Sequence, residues 1–171
     1  MNKKKTIVIG LVCLWMFLIF NFSSQPAEQT NQLSLKITQK IIDMNLLVLP
    51  DKVDPDVYLL LANRWIRKAA HFFLFMILGF LISQVLNVWV KNRFYTSIVS
   101  LIISAVYAVS DEYHQMLVPG RNAAWKDVFI DTTGAVLGIL LSLLIIQVFK
   151  KRKLELSGHY GGSHGNIRHK Q

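Results

Sequence analysis

The stretch AAHFFLFMILGFLISQVLNVWV (Ala69–Val90), followed by KNR (Lys91–Arg93) and FYTSIVSLIISAVYAVS (Phe94–Ser110), is the most informative part of this chain. Across Ala69–Val90 the polar side chains are His71, Ser83, Gln84 and Asn87. At ~1.5 Å rise per residue such a run crosses the ~30 Å hydrocarbon of a bilayer. It lacks the alternation of a half-buried strand and the polar face of a soluble helix. Lys91-Asn92-Arg93 is too short to hold a domain, so the two runs form a tight helical hairpin. Working outward, Thr6–Phe22 and Val128–Phe149 have the same character. The expected fold is all-α and polytopic, with four transmembrane helices at about 6–22, 69–90, 94–110 and 128–149. The 53% hydrophobic content of the 171 residues sits in these blocks, which argues for one membrane domain over 6–149.

Charge gives the orientation. Lys3, Lys4 and Lys5 precede the first span, Lys91 and Arg93 join the second to the third, and Lys150, Lys151, Arg152 and Lys153 follow the fourth. Four spans put all three clusters on one side, and basic residues near span ends resist translocation. Both termini are therefore expected in the cytoplasm: residues 1–5, and a basic tail over 150–171 read as disordered. The net charge of +9 then needs no nucleic-acid partner, since the bilayer topology accounts for it. His159, His164 and His169 in the tail could bind metal weakly, but their irregular spacing matches no metal motif. Cleavage of the first block as a signal peptide is not expected, because its apolar run is long and no small-x-small site follows it. Cys13 is the sole cysteine and reads as a small apolar packing residue.

After the first span, Ser23-Ser24-Gln25-Pro26 stops the helix and turns the chain. From Thr30 to Leu49, Leu33, Ile37, Ile41, Met44 and Val48 recur at helical spacing, with Lys36, Gln39, Lys40 and Asp43 between them. This amphipathic outer segment either lies in the interface or packs over the ends of the bundle, and periodicity does not choose. Pro50-Asp51 and Asp54-Pro55-Asp56 break it, and Val57–Lys68 resumes a helix that runs into the second span. The acidic loop lacks the order of a calcium loop and reads as solvated. In the fourth span Gly134, Gly138 and Ser142 share one face, where small side chains let a helix of this or another membrane protein approach.

The polar residues gather at one end of the spans. Arg67 and His71 lie one turn apart at the start of the second, and Asp111, Glu112, His114 and Gln115 follow the third. Past Pro119-Gly120 come Arg121, Asp127 and Asp131. Ionisable groups at membrane depth are costly, by ~2.5–3.5 kcal/mol near a helix centre on insertion scales, so such a set needs partners or a watery cavity. His71 or His114 oriented by Asp111, Glu112 or Asp127 has the form of an acid/base pair. Arg67 and Arg121, with Gln115, Asp127 and Asp131, have the form of a ligand site in which the arginines hold a phosphate or carboxylate. Asp111, His114, Asp127 and Asp131 offer divalent-cation ligands, but their spacing matches no strong signature, and no metal or cofactor is assigned. The alternatives are a structural network in which acids and bases neutralise one another, as in a membrane scaffold, and a small transporter, which the lack of charges near any span midplane disfavours.

These same residues resemble the VanZ-like family of bacterial membrane proteins. The resemblance rests on Ser23-Ser24-Gln25-Pro26, on Arg67-Lys68-Ala69-Ala70-His71-Phe72, and above all on Ser110-Asp111-Glu112-Tyr113-His114-Gln115 with Val118-Pro119-Gly120-Arg121. Asp127, Asp131 and Gly134 also fall at family positions, and the match covers roughly residues 6 to 149. It implies a multi-pass protein of the bacterial cytoplasmic membrane acting at its outer face on a cell-envelope component. The founding member is associated with resistance to teicoplanin, a glycopeptide antibiotic. The partners expected are the lipid bilayer and an anionic, lipid-linked envelope molecule.

Overall fold

A computed structural model describes residues 3–44, 54–121 and 124–161. They form five helices: α1 (Lys3–Ser23), α2 (Ala27–Asp43), α3 (Pro55–Trp89), α4 (Arg93–Met116) and α5 (Trp125–Gly161). Among the described residues there is no strand. Local chemistry sets the helix starts. Asp54 caps α3 by accepting from the Asp56 amide at 2.8 Å, and Pro55, which lacks an N–H, opens that helix. Asn92 caps α4 in the same way, accepting from the Tyr95 amide at 3.2 Å.

Four of these helices, over Thr6–Ser23, Asp56–Trp89, Arg93–Met116 and Trp125–Lys153, are long and apolar enough to cross a membrane. They outrun the apolar blocks of the sequence. α3 starts at Pro55, with the helix expected over Val57–Lys68 running into the second span, α4 continues past the apolar run at Ser110 to Met116, and α5 starts at Trp125, before the apolar run at Val128. Hydropathy marks where hydrocarbon accepts the chain, whereas a helix continues until a cap or turn stops it. The 35 residues of α3 extend about 52 Å, so its first turns project beyond any ~30 Å hydrocarbon layer. At the other extreme, residues 150–161 continue α5 where composition suggested a disordered tail, with Lys151 and Glu155 4.0 Å apart across one turn. Residues 162–171 lie outside the described residues.

The bundle is organised around the α3–α5 pair. Gly79 meets the backbone of Ala135, Gly134 the carbonyl of Phe72, and Gly138 the carbonyl of Met76. A β-carbon at Gly138 would also stand 2.9 Å from the Phe80 amide nitrogen, so only glycine permits this approach. One turn on, Ser142 Oγ donates to Ser83 Oγ at 2.9 Å. The Gly134/Gly138 face is thus covered by α3 of the same chain. α1 leans on α3 through Trp15, whose Nε1 donates to the Leu74 carbonyl at 2.9 Å, and on α4 through the Tyr107 hydroxyl, which donates to the Met16 carbonyl at 2.6 Å.

The interior is small and partly polar. Ile19, Phe75, Leu78, Ile82 and Ala108 form the apolar core, while α4 turns Thr96, Ser100, Ser104, Ala108, Asp111 and Glu112 inward. Large apolar side chains such as Phe17, Phe94, Phe129 and Leu144 face outward. A soluble protein hides such groups, and a bilayer solvates them. Cys13 is also exposed on α1.

α2 resolves the open question of the amphipathic segment. Its polar side packs on α3: Ser34 and Thr38 are buried, and Asn63 Nδ2 donates to Asn31 Oδ1 at 2.5 Å. Leu33, Ile37 and Met44 stay exposed. The helix therefore covers the end of α3 and also presents an apolar face outward. Residues 45–53, with Val48, Leu49, Pro50 and Asp51, lie outside the described residues.

Candidate functional site

The end of the bundle where α1 stops, α3 enters, α4 stops and α5 starts is tied together by polar side chains. α4 carries Asp111 inward on its last buried turn. There Asp111 Oδ2 accepts from Ser23 Oγ at 2.8 Å, across from the end of α1, and from Gln115 Nε2 at 2.8 Å, one turn on. Gln115 is oriented in turn by Arg121, whose Nη1 donates to Gln115 Oε1 at 2.9 Å. The other arm, Nη2, donates to Thr30 Oγ1 at 3.0 Å and to the Phe22 carbonyl at 3.4 Å. One guanidinium fork thus pins α1, α2 and α4 at a single point, a geometry lysine cannot supply.

The turn before Arg121 makes this possible. Gly120 has φ 77°, which strains any residue with a β-carbon, and such an atom would lie 3.1 Å from Ala27 Cβ. The Pro119 carbonyl accepts from the Ala27 amide at 3.3 Å, so the α4–α5 turn and the start of α2 are stitched together. Burial, then the positive charge of Arg67, push the Arg121 guanidinium below its ordinary pKa, with Asp111 and Glu112 opposing.

On the far side of Asp111, α5 contributes Asp127 and Asp131. Lys68 pairs with Asp127, and Glu112 Oε1 accepts from the Ala124 amide at 2.6 Å, fastening α4 to the start of α5. Asp131 is 2% exposed, and its Oδ2 lies 3.9 Å from His71 Nδ1. Arg64, Arg67, His71, Glu112, Asp127 and Asp131 line a polar cavity of about 150 Å³. Beside it, between α2 and α3, runs an apolar cleft of about 330 Å³ walled by Leu33, Ile37, Phe73 and Leu74. Arg67 and His71 belong to both, and Arg121 sits in the wall of the cleft. Neither Arg64 nor Arg67 has a hydrogen-bond or ion-pair partner among the described residues.

Most of the residues singled out from sequence therefore meet. Arg67, His71, Glu112, Gln115, Asp127 and Asp131 share one cavity, and Asp111 and Arg121 brace it. His114 stands apart. Its ring stacks on Phe20 at 4.3 Å with a 26° interplanar angle, Nδ1 has no hydrogen-bond partner among the described residues, and the neighbour of Asp111 is Gln115 instead. On α4, Gln115 is one turn beyond Asp111, at i+4, while His114 at i+3 turns toward α1. His71, from α3, is the histidine that faces the carboxylates. Sequence reasoning gives no site role to Ser23, Thr30 or Lys68. Lys68 belongs to the basic set at the entry of the second span, one turn before His71, whereas Ser23 lies 88 residues from Asp111, and no local spacing connects the two.

The VanZ/LLP1 family model matches residues 8–147. The chain belongs to the VanZ-like family. Its VanZ-like motifs are the parts that interlock here: the Ser23 turn, the Arg67–His71 helix entry, and the Asp111–Arg121 helix end with its glycine turn. No curated protein and no solved structure matches the chain.

Proposed function

We propose that this multi-pass membrane protein binds an anionic, lipid-linked molecule of the cell envelope at the outer face of the cytoplasmic membrane. The observation that carries this reading is the junction of two unlike cavities at Arg67 and His71. One is polar and holds the unpartnered Arg64 and Arg67, which suit a phosphate or carboxylate. The other is apolar and suits a hydrocarbon chain. A ligand with an anionic head and an apolar tail fills both. The basic clusters at Lys91–Arg93 and Lys150–Lys153 lie at the opposite end of the bundle, and the positive-inside rule supports reading the site as the outer end.

In this reading the arginines hold the head and the α2–α3 cleft holds the tail. His71, beside Asp131, is placed to exchange a proton with the bound head, should the molecule be chemically altered. Native mass spectrometry of the full chain, extracted in mild detergent, tests the binding step. The wild type is expected to carry an anionic lipid adduct that Arg67→Gln and Arg121→Gln lose at equal abundance. Retention by both variants, or equal uptake of zwitterionic lipid, overturns it. Protection against teicoplanin is a consequence to be examined by susceptibility in a sensitive Gram-positive host expressing wild type or Arg121→Gln. Protection that survives loss of the arginine would separate the resistance role from this site.

A further inference from the structure

Two carboxylates and an imidazole converge below the polar cavity. One ligand atom each from His71, Asp111 and Asp131 lies within 4.8 Å of the others. Asp111 is 4% and Asp131 2% exposed, and the Oδ1 of each has no hydrogen-bond partner among the described residues. A carboxylate oxygen accepts and never donates, so two buried carboxylates of one cluster, each with an unpaired oxygen, make a place suited to a cation. Lys68 is engaged with Asp127, and Arg121 with Gln115, Thr30 and the Phe22 carbonyl, while Arg64 and Arg67, which line the same cavity, make no ion pair with either carboxylate. His71 approaches Asp131 only to 3.9 Å, longer than a hydrogen bond.

We propose that His71, Asp111 and Asp131 form a binding site for one divalent transition-metal ion, Zn²⁺ or Mn²⁺ in class. The donor set, one nitrogen and two carboxylates, fits first-row divalent ions that accept a nitrogen donor better than Ca²⁺, which takes only oxygens. Two carboxylates and a neutral imidazole balance the charge of a divalent ion inside the bundle. Ligands held at about 2.1 Å from one ion stand roughly 3.3 Å apart, so side-chain rotation has to bring the three atoms together by at most about 1.5 Å, and His71 Nδ1 and Asp131 Oδ2, 3.9 Å apart, by less. The surroundings resemble the outer shell of a metal site. Ser23 and Gln115 both donate to Asp111 Oδ2, fixing that carboxylate while Oδ1 stays free, and Arg121 fixes Gln115. Three protein ligands leave a coordination position open, and His71 and Asp131 line the cavity where Arg64 and Arg67 wait for an anion. The metal site stands on the cluster alone and does not require the lipid reading.

The test uses the purified full chain, stripped with chelator, reloaded with Zn²⁺ or Mn²⁺, and desalted. Because His159, His164 and His169 could also hold metal, a variant with all three changed to Asn serves as the reference. This reference is expected to retain about one ion per chain, and Asp111→Asn and Asp131→Asn to retain at least tenfold less at unchanged abundance. Metal lost with the tail histidines, or kept by both Asp variants, overturns the assignment, as does failure of the reference to retain any ion. Pulsed electron paramagnetic resonance of Mn²⁺ bound to the reference needs no variant of the cluster. Coupling to one imidazole nitrogen is expected, and its absence overturns the set that includes His71.

Discussion

α3 and α5 meet twice, and the two meetings are opposite in kind. Along Gly79, Gly134 and Gly138 the backbones touch, leaving no room for a methyl group. Just beyond, between His71 and Asp131, the same helices part around a cavity lined by ionisable side chains. The seam gives the cavity its precision. Two helices locked at backbone contact cannot slide, so the buried groups one turn away keep their separation without bonding to each other. Where charged groups must stay incompletely paired to receive something else, rigidity has to come from neighbouring uncharged contacts.

Changes in the seam should have the largest effect. Gly138→Leu forces the helices apart and is expected to cost about 3 kcal/mol or more, seen as loss of membrane abundance and a lower thermal midpoint. A β-carbon at Gly10 would meet no other part of the described residues within 4 Å, so Gly10→Ala should be neutral or stabilising by up to about 1 kcal/mol. A comparable loss at Gly10 would break the distinction between seam and surface.

At the cavity, function should fall further than stability. Arg121→Lys keeps the charge and loses the fork, and we expect lipid retention to drop about tenfold, since charge-assisted bonds contribute about 1.5–3 kcal/mol each. The thermal midpoint should fall less than for Gly138→Leu. Equal damage to both would make Arg121 a brace alone.

Smaller effects sharpen the boundary. Lys68→Gln breaks a pair whose side chains are 36% and 35% exposed, so its cost should stay below about 1 kcal/mol and shrink further in salt. His114→Gln removes a stack on Phe20 and should change stability by at most about 1.5 kcal/mol and lipid retention less than twofold, while His71→Gln lowers retention severalfold. The reverse ranking of the two histidines, measured by native mass spectrometry, would move the site from α3 to the end of α4. Lys91→Gln, at the opposite end, should leave both measurements unchanged.

Much of this was legible before folding. Apolar run length marked the four spans, and the Asp54-Pro55 and Pro119-Gly120 signals marked where helices begin and turn. Helical spacing brought Asp111 to Gln115 and Asp127 to Asp131, because residues four apart share a face whatever surrounds them. The same rule could not tell whether His114 or Gln115 turns toward the carboxylate, since both i+3 and i+4 are allowed and the packing of α1 against α4 chooses.

α2 shows the limit from the other side. Its sequence displays an apolar stripe that ordinarily faces a core, yet Ser34 and Thr38 are buried while Leu33 and Ile37 line an open cleft. Amphipathicity reports that a helix has two faces, and only the neighbouring solvent, lipid or protein, decides which is inside.

The sequence by itself determined a helical membrane protein of the VanZ-like kind with the carboxylates, His71 and the arginines of the candidate site at one end and its basic clusters at the other. Those properties follow from hydropathy, charge position and local spacing, which the chain carries unfolded. Tertiary structure alone decided that Ser23 meets Asp111, that Lys68 meets Asp127, and that His71, Asp111 and Asp131 converge. These contacts join residues far apart in the chain, and their distances are set by how closely glycine lets α3 and α5 approach.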